Sequence, residues 1–154
     1  LVSQLGPSAA ITKIRKYSLE LYKKLEKELD FSSGLKLNGA LSIATTKGRW
    51  QELKRQATTA QLYDVNVEVL NIEQIKKIYP IINEQNILGG IFMPGDGQAD
   101  PIGVTNLLAK AARKEGVKIF EKSPVEKIIK KNGRVSGVVV NGKTLSTIQF
   151  ICDC

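Results

Sequence analysis

The sequence contains no histidine at all. That removes the commonest general base, the commonest metal ligand and any Ser-His or Cys-His pair, and with them many enzyme mechanisms. Cysteine is nearly absent too: Cys152 and Cys154 stand two apart at the end of the chain, where a strand would put both on one face. Two thiolates cannot complete the four-ligand shell of a structural zinc site unaided, and a disulfide at that spacing would be strained. They are read as unpaired thiols in a strand of a cytoplasmic protein, and no metal is expected. No run approaches the roughly 18 apolar residues of a membrane span, so no membrane association is expected. An initiating Met is missing as well. The opening Leu1-Val2-Ser3 is neither a signal peptide nor an obvious natural start, so the chain is expected to be cut from something longer.

What is present is ordinary for a globular protein. The 154 residues are 42% hydrophobic and 25% charged, enough for one sizeable core, and one domain is the default count. The net charge is +8 with a pI near 9.5, which raises the question of an anionic partner. The basic residues are interleaved with Glu20, Glu26, Glu28 and Glu126 in the manner of solvated faces, and few aromatics accompany them. Nucleic acid is therefore not expected as a partner. The usage of Lys, Ile and Asn hints at an AT-rich, bacterial gene.

Gly6-Pro7-Ser8 reads as a helix entry, and Ile11, Ile14, Leu21, Leu25 and Leu29 recur at helical spacing to about Asp30. Residues 35–45 suit a strand, with Asn38-Gly39 as a turn or bulge inside it. A helix over about 46–63 and a strand at 65–70 follow. Asn71-Ile72-Glu73-Gln74 has the form of a capping box, opening a helix that Pro80 closes. Residues 87–93 read as a strand, and Asp100-Pro101 as the start of a helix ending near Gly116. Strands are then expected at 117–120, 125–130, 135–140 and 147–152, with Asn132-Gly133 and Asn141-Gly142 as two-residue hairpin turns. The fold class is mixed α/β, helices packed on a mixed sheet.

The richest site candidate is the run Pro94-Gly95-Asp96-Gly97-Gln98-Ala99-Asp100-Pro101, two acids and two glycines between a buried strand and a helix N-terminus. Its residues fit a turn followed by a helix cap. Carboxylates at 96 and 100 could also hold a hard cation, but the further oxygen ligands and closing Glu of an EF-hand are missing.

Gly89 to Pro101 with the helix after it, then Glu115-Gly116-Val117 and Ser123-Pro124-Val125 with Ile128, resembles the central part of the D-amino-acid-oxidase-like flavoproteins, in particular the dimethylglycine and sarcosine dehydrogenase branch. Residues 1–7, 17–25 and 38–45 also resemble successive elements of that branch, so the resemblance covers essentially the whole chain. It implies a partial substrate domain, here 33–95, plus returning strands of an FAD-binding domain, here 1–32 and 96–154, in one compact fragment. It implies FAD as cofactor and a small N-methyl amine, oxidised to an imine by hydride transfer to flavin, as substrate. Family members also carry a separate folate-binding domain. By the same resemblance Leu1 and Val2 lie near the isoalloxazine ring, and the backbone of Val125 approaches the adenine.

The departures from that pattern bear on what this chain can do. A flavin pyrophosphate is held by a glycine-rich turn at a helix N-terminus, and no Gly-x-Gly-x-x-Gly occurs here. The covalently flavinylated His of the branch would precede Leu1, and the Ala-Thr-Gly-like turn that closes over the flavin would follow Cys154. The expectation is an internal fragment without catalytic residues or bound flavin of its own, self-associating through faces left exposed. The competing expectation is a standalone, non-enzymatic α/β module that binds an anionic ligand or partner through its basic surface.

Overall fold

Ser8 opens the first helix, α1 (Ala9–Leu29), its hydroxyl accepting from the Ile11 N–H at 3.4 Å. Asp30 closes it in the left-handed conformation, φ 45°. Only Thr12 and Leu19 of this 21-residue helix are fully buried; nine residues are half-buried and ten exposed. The computed structural model describes residues 1–146. The described chain forms two compact units, residues 1–115 and residues 116–146.

The first unit is built on a three-stranded antiparallel sheet. Strands β1 (Ala40–Ala44) and β2 (Glu68–Leu70) flank β3 (Gly89–Met93), with Ser42 and Val69 both opposite Ile91. Helix α2 (Lys47–Gln61), capped by Thr46, lays Leu53 and Ala57 against Ala44 and Ile91, with Trp50, Val67 and Met93 around them. The central strand is buried because both its edges are paired and α2 covers it. Helix α3 (Ile72–Ile78) has the expected capping box: Asn71 Oδ1 accepts from the Gln74 N–H and Gln74 Oε1 from the Asn71 N–H, both at 2.9 Å. Helix α4 (Pro101–Lys114) buries Leu107 and packs on α1, where Lys110 Nζ donates to Leu29 O at 2.9 Å and lies 5.1 Å above the Phe31 ring.

The strand expected over 35–45 begins only at Ala40. Gly39, at φ +80°, breaks the pleat, and its N–H turns to Asp96 O at 2.9 Å, so Asn38-Gly39 does mark the irregularity. Lys36, ahead of it, pairs with Gln98 instead of extending the sheet.

The second unit is a meander, β4 (Val125–Lys131), β5 (Arg134–Val140) and β6 (Lys143–Ser146), in that order. Asn132 and Gly133, at φ 52° and 74°, and Asn141 and Gly142, at φ 50° and 69°, make the two expected hairpin turns. These angles are the ones a tight hairpin demands and few residues other than Asn and Gly tolerate. Two expectations shift. Residues 117–120 form no strand, and Val117 and Phe120 are exposed: the apolar spacing is there, but no described strand pairs with it. The last described strand follows the second turn directly, at Lys143–Ser146, and the expected strand at 147–152, with Cys152, lies outside the described residues, as does Cys154. Mixed α/β architecture is as expected.

Candidate functional site

The loop of residues 94–101 leaves the half-buried Met93 end of β3 and gathers two distant stretches of chain, residues 2–4 and 33–39. Its main chain closes first on itself, Asp96 N–H to Met93 O at 3.2 Å. Gly97 then exchanges two hydrogen bonds with Val2, at 2.8 and 2.9 Å, and Gln98 exchanges two with Lys36, at 2.8 and 3.0 Å. Asp100 N–H donates to Ser33 O at 3.0 Å, and buried Ser33 is itself held by Glu26 Oε1, which accepts from its N–H and hydroxyl at 2.6 and 2.7 Å. Unpaired main-chain groups are costly away from water, and here both main-chain groups of Asp96, Gly97, Gln98 and Asp100 have partners.

The two carboxylates do different work. Asp100 is exposed and caps α4, accepting from Ile102 N–H at 3.3 Å and Gly103 N–H at 2.9 Å. Asp96 is completely buried; its Oδ1 accepts from the Gln4 N–H at 2.9 Å, and its Oδ2 has no partner among the described residues. Burial raises its pKa above the ordinary aspartate value, opposed by hydrogen bonds from the Gln4 main chain and side chain and by the charge of Arg15. The Asp96 and Asp100 carboxylates belong to no cluster of three or more potential metal ligands among the described residues. A turn and a helix cap account for the run as anticipated. The role of Asp96 toward Gln4 and Arg15 was not legible, because no sequence pattern links positions 4, 15 and 96.

Of the residues singled out for the cofactor, Leu1 is 91% exposed and Val2, half-buried, lies on the loop through Gly97. Val125 opens β4 in the second unit, half-buried and paired with Val140. The first unit also has an open cleft of about 330 Å³ between Leu5, Gly6 and Pro7 and the α2 residues Glu52, Arg55, Gln56 and Thr59. Its charged groups engage each other: Glu52 accepts from Arg55 at 2.7 and 2.8 Å and from Gln56 at 2.9 Å, and the hydrogen bond from Arg55 leads in holding the Glu52 carboxyl down to about 2.

A dinucleotide cofactor needs a free helix N-terminus for its pyrophosphate. Each of the four described helices fills its own first turn with a side-chain oxygen, from Ser8, Thr46, Asn71 or Asp100. The residues of this stretch therefore do not fit the phosphate part of such a cofactor, and the anionic Asp100 would repel it. No helix among the described residues is long and apolar enough to cross a membrane.

A two-unit α/β chain with a helix-opening Asp-Pro after a buried strand defines a class, and comparison with known proteins identifies it. The family model described as FAD dependent oxidoreductase matches residues 2–154, and the chain belongs to that family, whose cofactor is FAD. It is 34% identical over 125 residues to the mitochondrial dimethylglycine dehydrogenase of Rattus norvegicus, covering 81% of this chain and 15% of that protein. It is 27% identical over all 154 residues to the mitochondrial pyruvate dehydrogenase phosphatase regulatory subunit of Mus musculus, 17% of that protein. Among solved structures, the L-proline dehydrogenase of P. horikoshii superposes with a TM-score of 0.87 at 26% identity, over 96% of this chain and 39% of that one. The chain thus spans less than a fifth of the length of these curated relatives.

Proposed function

We propose that this chain is the scaffold stretch of a flavin-dependent oxidoreductase acting on N-methyl amines such as dimethylglycine or sarcosine. The observation that carries the reading is the docking of Val2 and Gln4 on the loop at Gly97 and Asp96, which presents as a fixed edge the residues that the family resemblance puts beside the flavin ring. The likeness to a dimethylglycine dehydrogenase supports the substrate class. Bound flavin supplies the hydride acceptor in such enzymes. The part of the first unit is to present Leu1 and Val2 to the flavin ring, while groups outside residues 1–154 hold the pyrophosphate; for the second unit, the family resemblance alone gives the Val125 main chain a role toward the adenine. No residue here acts as acid, base or nucleophile in this reading, and the location is cytoplasmic, which cell fractionation checks.

Two measurements test it. The purified chain mixed with FAD is expected to leave the flavin absorption spectrum unperturbed, and tight stoichiometric binding would overturn the scaffold role. The product of the complete gene is expected to bleach its flavin on anaerobic addition of sarcosine or dimethylglycine; an unchanged spectrum with both would overturn the substrate class.

A second reading, a non-enzymatic module that uses its net charge of +8 to bind an anionic partner, is favoured by the match over all 154 residues to a protein named as a regulatory subunit. Salt-dependent binding of the chain to heparin would support it, and no retention at low salt would remove it.

A further inference from the structure

Residues 2–6 belong to no helix or named strand, yet each is tied to something distant in sequence or to the next helix. Val2 pairs with Gly97, Ser3 Oγ accepts from Arg15 at 3.1 Å, and the Gln4 N–H donates to Asp96. Leu5 O accepts from Arg15, and the Gly6 N–H donates to Thr12 Oγ1 at 3.0 Å. Of these ties the one to Asp96 is the least expected. The main chain of residue 96 already closes the loop through Met93 and Gly39, so the turn does not require a carboxylate there. Burying a carboxylate is costly unless its oxygens receive donors, and the Gln4 N–H that Oδ1 receives comes from a residue 92 positions away.

We propose that Asp96 is a positioning residue: its Oδ1 fixes the main chain at Gln4 and so sets the path of residues 1–4. What that segment faces, a flavin ring, rests on the proposed function above; the clasp itself does not. It orders an otherwise irregular segment in advance, which is how a site is kept within a fraction of an ångström of its working geometry. Arg15 completes it from α1, holding Ser3 and Leu5 on either side of Gln4 and standing as the counter-charge to Asp96.

Amide hydrogen exchange on the flavin-free chain tests the clasp. In Asp96→Ala the Gln4 amide is expected to exchange about tenfold faster, the loss of one hydrogen bond to a charged group, while amides of β3 keep their protection. Asp96→Asn, which retains an oxygen at the Oδ1 position, is expected to restore protection of Gln4. Unchanged exchange at Gln4 in Asp96→Ala, or no rescue by Asp96→Asn, would overturn the proposal. Should Asp96→Ala not fold, the wild-type chain decides: a through-hydrogen-bond scalar coupling between the Gln4 amide nitrogen and Asp96 Cγ is expected, and its absence overturns the clasp. A failure of the flavin reading shows instead in the flavin spectra above and leaves these exchange rates as they are.

Discussion

The carbonyl oxygen of Lys36 occupies the space that a side chain on residue 97 would need: a Cβ built on Gly97 would stand 2.0 Å from it and 2.9 Å from Leu37 Cα. Both neighbours are main chain, and neither can swing away. Gly97→Ala is therefore expected to cost about 3 kcal/mol or more and to release Val2 and Lys36 from the loop together. Gly48, in the first turn of α2 with nothing within 4 Å of its Cβ position, is the control. Gly48→Ala is expected to stabilise by about 0.5 kcal/mol. Urea unfolding of both variants against wild type checks the pair.

Asp96 gives stability a pH dependence of unusual sign for an aspartate. Its pKa is raised by burial, so the folded state holds its proton more tightly than the unfolded state. Its contribution is then fully present below the unfolded value and is lost as pH rises through the folded one. Arg15 is the cation that opposes this shift. Asp96→Asn removes the dependence, so its melting temperature relative to wild type is expected to be higher at pH 8 than at pH 4. A difference that stays constant across that range would contradict the direction. Glu52, held down to about 2 with Arg55 as the leading cause, works the other way, and its contribution fades as pH falls from about 4.5 through about 2.

The cap of α4 is a local and separable contribution. Asp100→Ala leaves the Ile102 and Gly103 N–H groups without their acceptor and is expected to cost about 1 kcal/mol, with Asp100→Ser recovering most of it. Thermal melting monitored by circular dichroism checks this.

Ile91 lies at the centre of the first sheet, fully buried against Ala44, Leu53 and Ala57. Ile91→Ala is expected to cost about 2–5 kcal/mol, the range for a buried aliphatic side chain cut back to a methyl group. Ile81→Ala, at a position 81% exposed, is expected to change stability by less than about 0.5 kcal/mol. Denaturant midpoints of the two variants make the comparison.

Ile14 and Tyr17 on α1 are 60% and 68% exposed, and Leu62, after α2, is 76% exposed. Apolar surface of this kind favours association of copies. The isolated chain is expected to form dimers or larger species in light scattering at tens of micromolar, and a monomer throughout would contradict this.

What could be read from the sequence was what local chemistry decides. Ser8, Asn71 and Asp100 announce their helices because a short side-chain oxygen at the first turn has one obvious use, and Asn132-Gly133 and Asn141-Gly142 announce hairpins because few other pairs tolerate those angles. Where distant partners decide, the reading failed. Residues 35–38 have the composition of a strand, but Gly39 diverts the chain to Asp96 and Gln98. Residues 117–120 have the same composition and find no strand to pair with among the described residues. Asp96 read as a turn residue, since nothing local shows that its carboxylate serves Gln4.

The span between Gln4 and Asp96 also fixes an order of events. Closing a loop of 92 residues carries an entropic cost that local helices and hairpins do not meet. During synthesis the first residues of this stretch leave the ribosome long before the loop that receives them. α1 and α2 can take shape while residues 2–4 still wait for it, whereas β1 and β2, whose partner among the described strands is β3, must wait for residues 89–93. The edge fixed by the clasp is thus among the last parts of the first unit to set, and a variant that weakens it is expected to slow the final phase of refolding and leave the early phases unchanged.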